Sequence, residues 1–570
     1  MLVWNKPTDY SDVADYRVYM NGVSLGSAAT NNTAFSPAKP YINKFYADDT
    51  TNFHVKITVH NFSVTGLSPD TNYSFTVRSV NGAGVESVDS NVVTQRTTAV
   101  PTVVNITAAP YNAVGDGSTL NTVAIQAAID ACPVNGKVLI PAGTFRTGAL
   151  FLKSNMTLEI AESATLLGSA NADDYPMSKG YVLYSYMDPV ANARPPSLIN
   201  ALDAASHTAG TFQNIRIVGK GTIDGNGWLR GISASSAASI LDELGNSLPQ
   251  YRASNSSKVG SDGILAKDQV AKAVAAGVAL DTAYSNRRSS LITLRGVRNA
   301  YYAGFTVLNP AYHGIMNLET ENVAVNGVIH KTYDANNGDG IEFGNSKNVM
   351  VFNNFMDTGD DCVNFAAGQG SGAASLPIQQ TAWIFNNYFR EGHGAVVTGS
   401  HTGAWIEGIL AEDNVLNLTE VGLRMKSTPP TGGGGRNVIY RDTASRGIRK
   451  QGFIFTLAYT AGSNTFAAAL ASALFRDITI RNASVDGGNV PAIVVDGLAA
   501  SGADGYAETF QENINFENVK IKNMKPTSID RLKNSTFKNV TITNSGTTPW
   551  VITNSPGLTF TGTSPTPAGY

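Results

Sequence analysis

From residue 297 onward the chain repeats itself. VRNAYYAGFTV, TENVAVNGVIH and SKNVMVFNNFM superpose on Asn299, Asn322 and Asn348, at intervals of 23 and 26 residues. Each unit alternates apolar and polar residues over a few positions and then turns on Gly, Asn or Asp, which is the pattern of a short strand. TAWIFNNYFR, RNVIYRDTA, FRDITIRNASV, FENVKIKNM and FKNVTITN continue it with longer insertions. A unit this short cannot enclose a core alone, so it must stack on its neighbours. Strands with a period in the low twenties and almost no helix between them predict an all-β solenoid. The expected form is a parallel β-helix, right-handed by the general crossover preference. A leucine-rich-repeat horseshoe has a similar period but carries an L-x-x-L-x-L signature that this sequence lacks.

Upstream, Ala124, Ile125, Ala128, Ile129 and Cys132 fall on one face of a helix over 121–132. That helix is expected to cap the open end of the solenoid, whose unpaired edge would otherwise invite aggregation. Residues 1–98 read differently, as a small all-β unit with alternating segments at 2–4, 16–20, 52–58 and 73–80. The segment GLSPDTNYSFTVRSV, with Leu67, Pro69 and Tyr73, resembles the tyrosine corner of a fibronectin type III module, and Trp4 its core tryptophan. By that resemblance the first strand is missing, as in a trimmed chain without a signal peptide, and 27–51 is an insertion. This unit carries no chemistry and reads as a passive module, with a spacer or weak carbohydrate-binding role as the functional alternative. Residues 99–104 form a linker, and 105–570 the solenoid domain.

A net charge of −3 excludes a broad basic surface for nucleic acid. No apolar run approaches a membrane span. Cys132 and Cys362 match neither a metal spacing nor a disulfide framework and read as two buried thiols.

The period gives meaning to NNGDGIEFGNSKNVMVFNNFMDTGDDC (336–362). From Asp339 to Asp360 and Asp361 is 21 and 22 residues, about one coil. Equivalent positions on adjacent coils lie about 4.8 Å apart, so the three carboxylates should share one face. Gly338, Gly340 and Gly359 either keep the wall low or permit positive φ. Three carboxylates this close repel, and at least one should hold its proton well above the usual value of about 4. One protonated acid beside one ionised base is what glycoside hydrolysis uses. Asp and Asn at turns often bond only their own backbone, and clustered carboxylates also bind calcium. Farther along come His393, in EGHGAVV, and Arg424 and Lys426, in VGLRMKS; the two cations stand two apart and face one side of a strand. Such cations are wrong for a calcium cluster and suited to an anionic sugar.

Together NGD (337–339), GDD (359–361), GHG (392–394) and RMK (424–426) resemble, in order and spacing, the four motifs of the polygalacturonases, glycoside hydrolase family 28. YNAVGDG, FLKSNMTL and GTIDGNGW resemble the family's flanking segments. The resemblance implies hydrolysis of the α-1,4 bonds of polygalacturonate, the backbone of pectin, with inversion and with no metal or cofactor. It implies Asp360 as general acid, Asp339 and Asp361 as the pair that holds and activates water, and His393 as support for the protonation of Asp360. Arg424 and Lys426 would bind a galacturonate carboxylate, with Asn337 shaping the site and Tyr459 near the family's cleft tyrosine.

Two long insertions, 173–210 and the Ala/Ser-rich 229–288, are expected to close one end of the cleft, since long ordered loops are usually functional. Arg287 or Arg288 would then meet a terminal carboxylate. That predicts an exo-acting enzyme releasing mono- or digalacturonate, as in bacterial exo-polygalacturonases with a fibronectin-like module. An endo-acting enzyme, a calcium-dependent pectate lyase and a non-enzymatic adhesin are the alternatives, and a neutral-sugar or rhamnogalacturonan substrate is a milder one that the Arg424–Lys426 pair argues against. The substrate implies a secreted or periplasmic monomer with no nucleic-acid or membrane partner.

Overall fold

Asn299, Asn322 and Asn348 form a ladder. Each turns the chain through a left-handed conformation, with φ of 65°, 58° and 55°. That conformation costs most L-residues about 1–2 kcal/mol, and Asn least among those with side chains. The amide of Asn348 donates to Asn322 (3.2 Å) and that of Asn322 to Asn299 (3.0 Å), and the ladder runs on to Asn214 and Asn155. A computed structural model describes all residues except 204–205, 230–239, 249–258, 334, 461–464, 489, 501–504 and 544–547. Parts of the 229–288 insertion thus lie outside the described residues.

Between the turns the strands pair in parallel, coil on coil. Val323 lies opposite Val349 and Val325 opposite Val351, all four buried. Phe343 and Phe365 stack inside at 5.6 Å. A second, buried ladder runs Asn354, Asn387, Asn414, the amide of Asn354 donating to Asn387 and that of Asn387 to Asn414. The result is the expected parallel β-helix. Its N-terminal end carries the helix Thr122–Ala131, which buries Ile125, Ala128 and Ile129.

One face matters for function. Among the described residues it is a 12-stranded parallel sheet that includes Ile292–Arg295, Ile315–Leu318, Ile341–Gly344, Val363–Ala366, Val396–Thr398, Val421–Lys426 and Gln451–Thr456. The turns that enter these strands form a continuous ledge.

The N-terminal unit has a four-stranded antiparallel sheet, and the backbone N–H of Ser68 donates to the Tyr73 hydroxyl at 2.9 Å, the tyrosine corner. Residues 27–51 depart from the all-β reading: they form helices Ala28–Phe35 and Lys39–Ala47. The local signals are a Ser27 cap, whose hydroxyl accepts from the N–H of Thr30, and Pro40 in the next first turn. These helices attach the unit to the solenoid. Tyr41 packs 4.4 Å from the ring of Phe355, and Ile42 and Phe45 join the cluster with Tyr388, Val415 and Ala444. Lys6 is buried between Asp413 and Asp442. Both thiols are buried and unpaired. Among the described residues no helix is long and apolar enough to cross a membrane.

Candidate active site

Register builds the site. Ile341 lies opposite Val363, so Asp339 lies opposite Asp361; the N–H of Gly340 donates to the carbonyl of Asp361 at 2.9 Å. Glycines let the ledge pack this tightly. A Cβ on Gly340 would stand 2.5 Å from the carbonyl oxygen of Cys362. Positive φ falls on Asn337 (58°) and not on Gly338, Gly340 or Gly359, so of the two expected glycine roles close approach is the one used.

Asp339, Asp360 and Asp361 each place an oxygen within 4.8 Å of the others. His393 Nδ1 lies 3.1 Å from Asp360 Oδ1. Arg424 and Lys426 both reach Asp361, at 2.9 and 2.7 Å. Lys426 stands 5.0 Å from the ring centre of Tyr459. The structure therefore brings Asp339, Asp360, Asp361, His393, Arg424, Lys426, Asn337 and Tyr459 to one recess. Its volume is about 250 Å³, just below the range of about 300–1,000 Å³ usual for ligand sites. A divalent cation on the three aspartates would meet the ammonium and guanidinium already bound to Asp361, so the donor set does not suit a metal.

Burial and the charges of Asp360 and Asp361 push the Asp339 carboxyl well above the ordinary carboxylate range. Burial also acts on Asp360, but the hydrogen bond and charge of His393, with Lys426 and Arg424, outweigh it and hold that carboxyl low. The same bond raises His393 above its usual value. Of the two carboxyls, Asp339 is thus the one biased toward its protonated form, and Asp360 the one biased toward a carboxylate facing a protonated His393. The direction runs against the support for Asp360 protonation expected of His393, because the hydrogen bond stabilises the carboxylate.

Three nearby groups escape the motif reading. His313 lies one coil before Asp339, with Nδ1 3.0 Å from the Asn337 carbonyl and 2.7 Å from Asp339 Oδ1. A carbonyl only accepts, so Nδ1 carries the hydrogen. Burial lowers His313 to about 4 and keeps it neutral. Glu342 faces its other nitrogen at 3.5 Å and is itself raised by burial. Stepping back 26 residues from Asp339 would have found His313. Arg194, also in the recess, sits in a non-periodic loop and has no such signal.

The insertions do wall the recess: Leu183 and Arg194 come from the first, Ser285 and Asn286 from the second. The expected roles of Arg287 and Arg288 fail. Arg287 donates to the carbonyls of Val190 (3.1 Å), Ala191 (3.2 Å) and Ala193. Arg288 is 1% exposed, stacks 3.8 Å over Tyr284, and donates to Ala311 O, Asn336 O and Asn337 Oδ1. Their donors are spent on carbonyl oxygens, so both arginines hold the wall together and neither is free for a substrate carboxylate.

Residues 275–507 match the profile of glycosyl hydrolases family 28, and residues 1–96 that of the fibronectin type III domain. The chain is 52% identical to an exo-poly-alpha-D-galacturonosidase of Dickeya chrysanthemi, over all of this chain and 92% of that protein. It superposes on a solved family 28 exopolygalacturonase of Yersinia enterocolitica with a TM-score of 0.92 at 52% identity, covering 98% of this chain and 95% of the other. A polygalacturonase of Erwinia carotovora shares the fold, at 21% identity and a TM-score of 0.53, over 80% of this chain and all of that one.

Proposed function

We propose a reaction for this chain from the premise that it belongs to glycosyl hydrolases family 28. It is an exo-polygalacturonase that hydrolyses the α-1,4 bonds of polygalacturonate near a chain end, with inversion. The observation that carries the reading is a carboxylate trio paired with Arg424 and Lys426 inside a recess walled by two insertions. The exo names of the two relatives at 52% identity support the mode of attack.

The proton positions suggest a cycle. Transfer of the shared proton from Asp339 to Asp360 makes an acid at Asp360 and a base at Asp339 in one move. Asp360 then protonates the glycosidic oxygen as its bond to the anomeric carbon breaks. Water held by Asp339 and Asp361 adds its oxygen to that carbon and returns a proton to Asp339. The step ends with Asp339 protonated and Asp360 ionised, the distribution that the two biases favour. His313 hydrogen-bonds Asp339 as a neutral donor and fixes its carboxyl. Arg424 and Lys426 attract the galacturonate carboxylate while holding Asp361 in place through their ion pairs.

The inversion rests on membership of the family. A polymeric substrate of plant walls places it outside the cytoplasm, secreted or periplasmic.

The test follows polygalacturonate by NMR and ultraviolet absorbance in the presence of EDTA. New reducing ends appearing first as the β-anomer, with no unsaturated product, support the reading. First appearance of the α-anomer would remove inversion. Unsaturated product that vanishes with the chelator would make the chain a lyase.

A further inference from the structure

Three arginines lie around the walled end of the recess, and among the described residues none has a carboxylate within ion-pair distance. Arg287 and Arg288 have spent their donors on carbonyls. Arg194 has not. It is 6% exposed and lines the recess. Its Nη2 donates to Asn286 Oδ1 at 3.3 Å, the Tyr312 side chain also interacts with the guanidinium, and its Nη1 is buried with no hydrogen-bond partner. Its guanidinium lies 4.9 Å from the ring centre of Tyr312, the residue before His313. The backbone of Arg194 is fixed by two bonds with Tyr181 (2.7 and 3.0 Å), so the side chain is presented from an ordered part of the closing loop.

A buried cation without a counter-ion is costly, and a buried guanidinium nitrogen with no acceptor adds to that cost. The carboxylate nearest in influence, Glu342, is itself biased toward its neutral form by burial. Arg424 and Lys426 share the single carboxylate of Asp361, at 2.9 and 2.7 Å, whereas Arg194 has no carboxylate within ion-pair distance among the described residues. An arginine matches a carboxylate in forked geometry.

We propose that Arg194 binds the carboxylate of a second uronate, the residue held at the walled end of the recess. The loop that closes the cleft thereby also supplies the group that recognises the chain terminus. This rests on the polygalacturonate reading above and adds to it a residue that sets specificity at the closed end.

The experiment compares wild type, Arg194→Gln and Arg194→Lys on oligogalacturonates of defined length, measuring kcat and KM and inhibition by digalacturonate. A contact made equally in ground and transition states moves KM and leaves kcat. The expected result for Arg194→Gln is a rise of about ten- to a hundredfold in KM and the same loss in digalacturonate inhibition, with kcat kept within about threefold. Arg194→Lys recovers part of both, which a misfolded wall would not do. Unchanged KM and inhibition in Arg194→Gln, or a fall in kcat alone, overturns the assignment while wild-type hydrolysis leaves the broader reading intact. A wild-type enzyme that does not hydrolyse polygalacturonate overturns both.

Discussion

His393→Ala removes one hydrogen bond from the Asp360 carboxyl, at 3.1 Å. A hydrogen bond to a charged group contributes roughly 1.5–3 kcal/mol. The imidazole is 41% exposed, so solvent screening places the loss at the low end, about 1.5 kcal/mol, or about one pKa unit. The sign follows from the direction of the shift. His393 holds Asp360 low, so its removal raises that carboxyl. The acid limb of kcat/KM, which marks protonation of both members of the Asp339–Asp360 pair, should then move to higher pH by about one unit. Turnover should fall about tenfold, because the acid loses the partner that orients it. The assay is release of reducing ends from polygalacturonate across the acid range, wild type against variant, with melting curves to show that both remain folded. An acid limb that stays in place while turnover falls would refute the electrostatic role assigned to His393. A limb that moves to lower pH would refute the direction of the whole scheme.

Asp361→Asn leaves Arg424 and Lys426 buried without their carboxylate, and breaking such a pair costs about 3–5 kcal/mol; thermal unfolding should show a lower Tm, and activity should be lost. Asn322→Ala keeps a left-handed turn that alanine disfavours by about 1–2 kcal/mol, and it cuts the ladder between Asn299 and Asn348. Denaturant titration should show that loss, with Asn322→Gly milder than Asn322→Ala. Lys6→Met strips the ammonium from Asp413 and Asp442 at the junction of the two units. Limited proteolysis should then cut the N-terminal unit away faster, while kcat on polygalacturonate stays at the wild-type value.

The repeat made the solenoid and the trio legible, because one coil is a number of residues. Asn299, Asn322 and Asn348 align in sequence for the same reason that they stack in space, and Asp339 meets Asp361 by that register. What the period does not reach stayed hidden. Residues 181–194 and 280–288 follow no repeat, so nothing in their order tells which cation meets a ligand. Arg287 and Arg288 stood out as an adjacent pair in an Ala/Ser-rich stretch, yet local carbonyls absorb their donors. Arg194, unremarkable in sequence, was left facing the recess. The helices at 28–47 were missed because the surrounding strands set the expectation, although Ser27 and Pro40 mark their starts. His313 was legible one coil back from Asp339 but belongs to no quoted motif. The bias of the proton toward Asp339 follows from which carboxyl His393 touches, a contact that depends on side-chain geometry.

The walled recess is the feature on which the mode of attack depends, and product size at low conversion reads it directly. Polygalacturonate digested to a few per cent and separated by chromatography should yield a single mono- or disaccharide, with the viscosity of the polymer almost unchanged. A ladder of many lengths with an early fall in viscosity would show a cleft open at both ends and contradict the account.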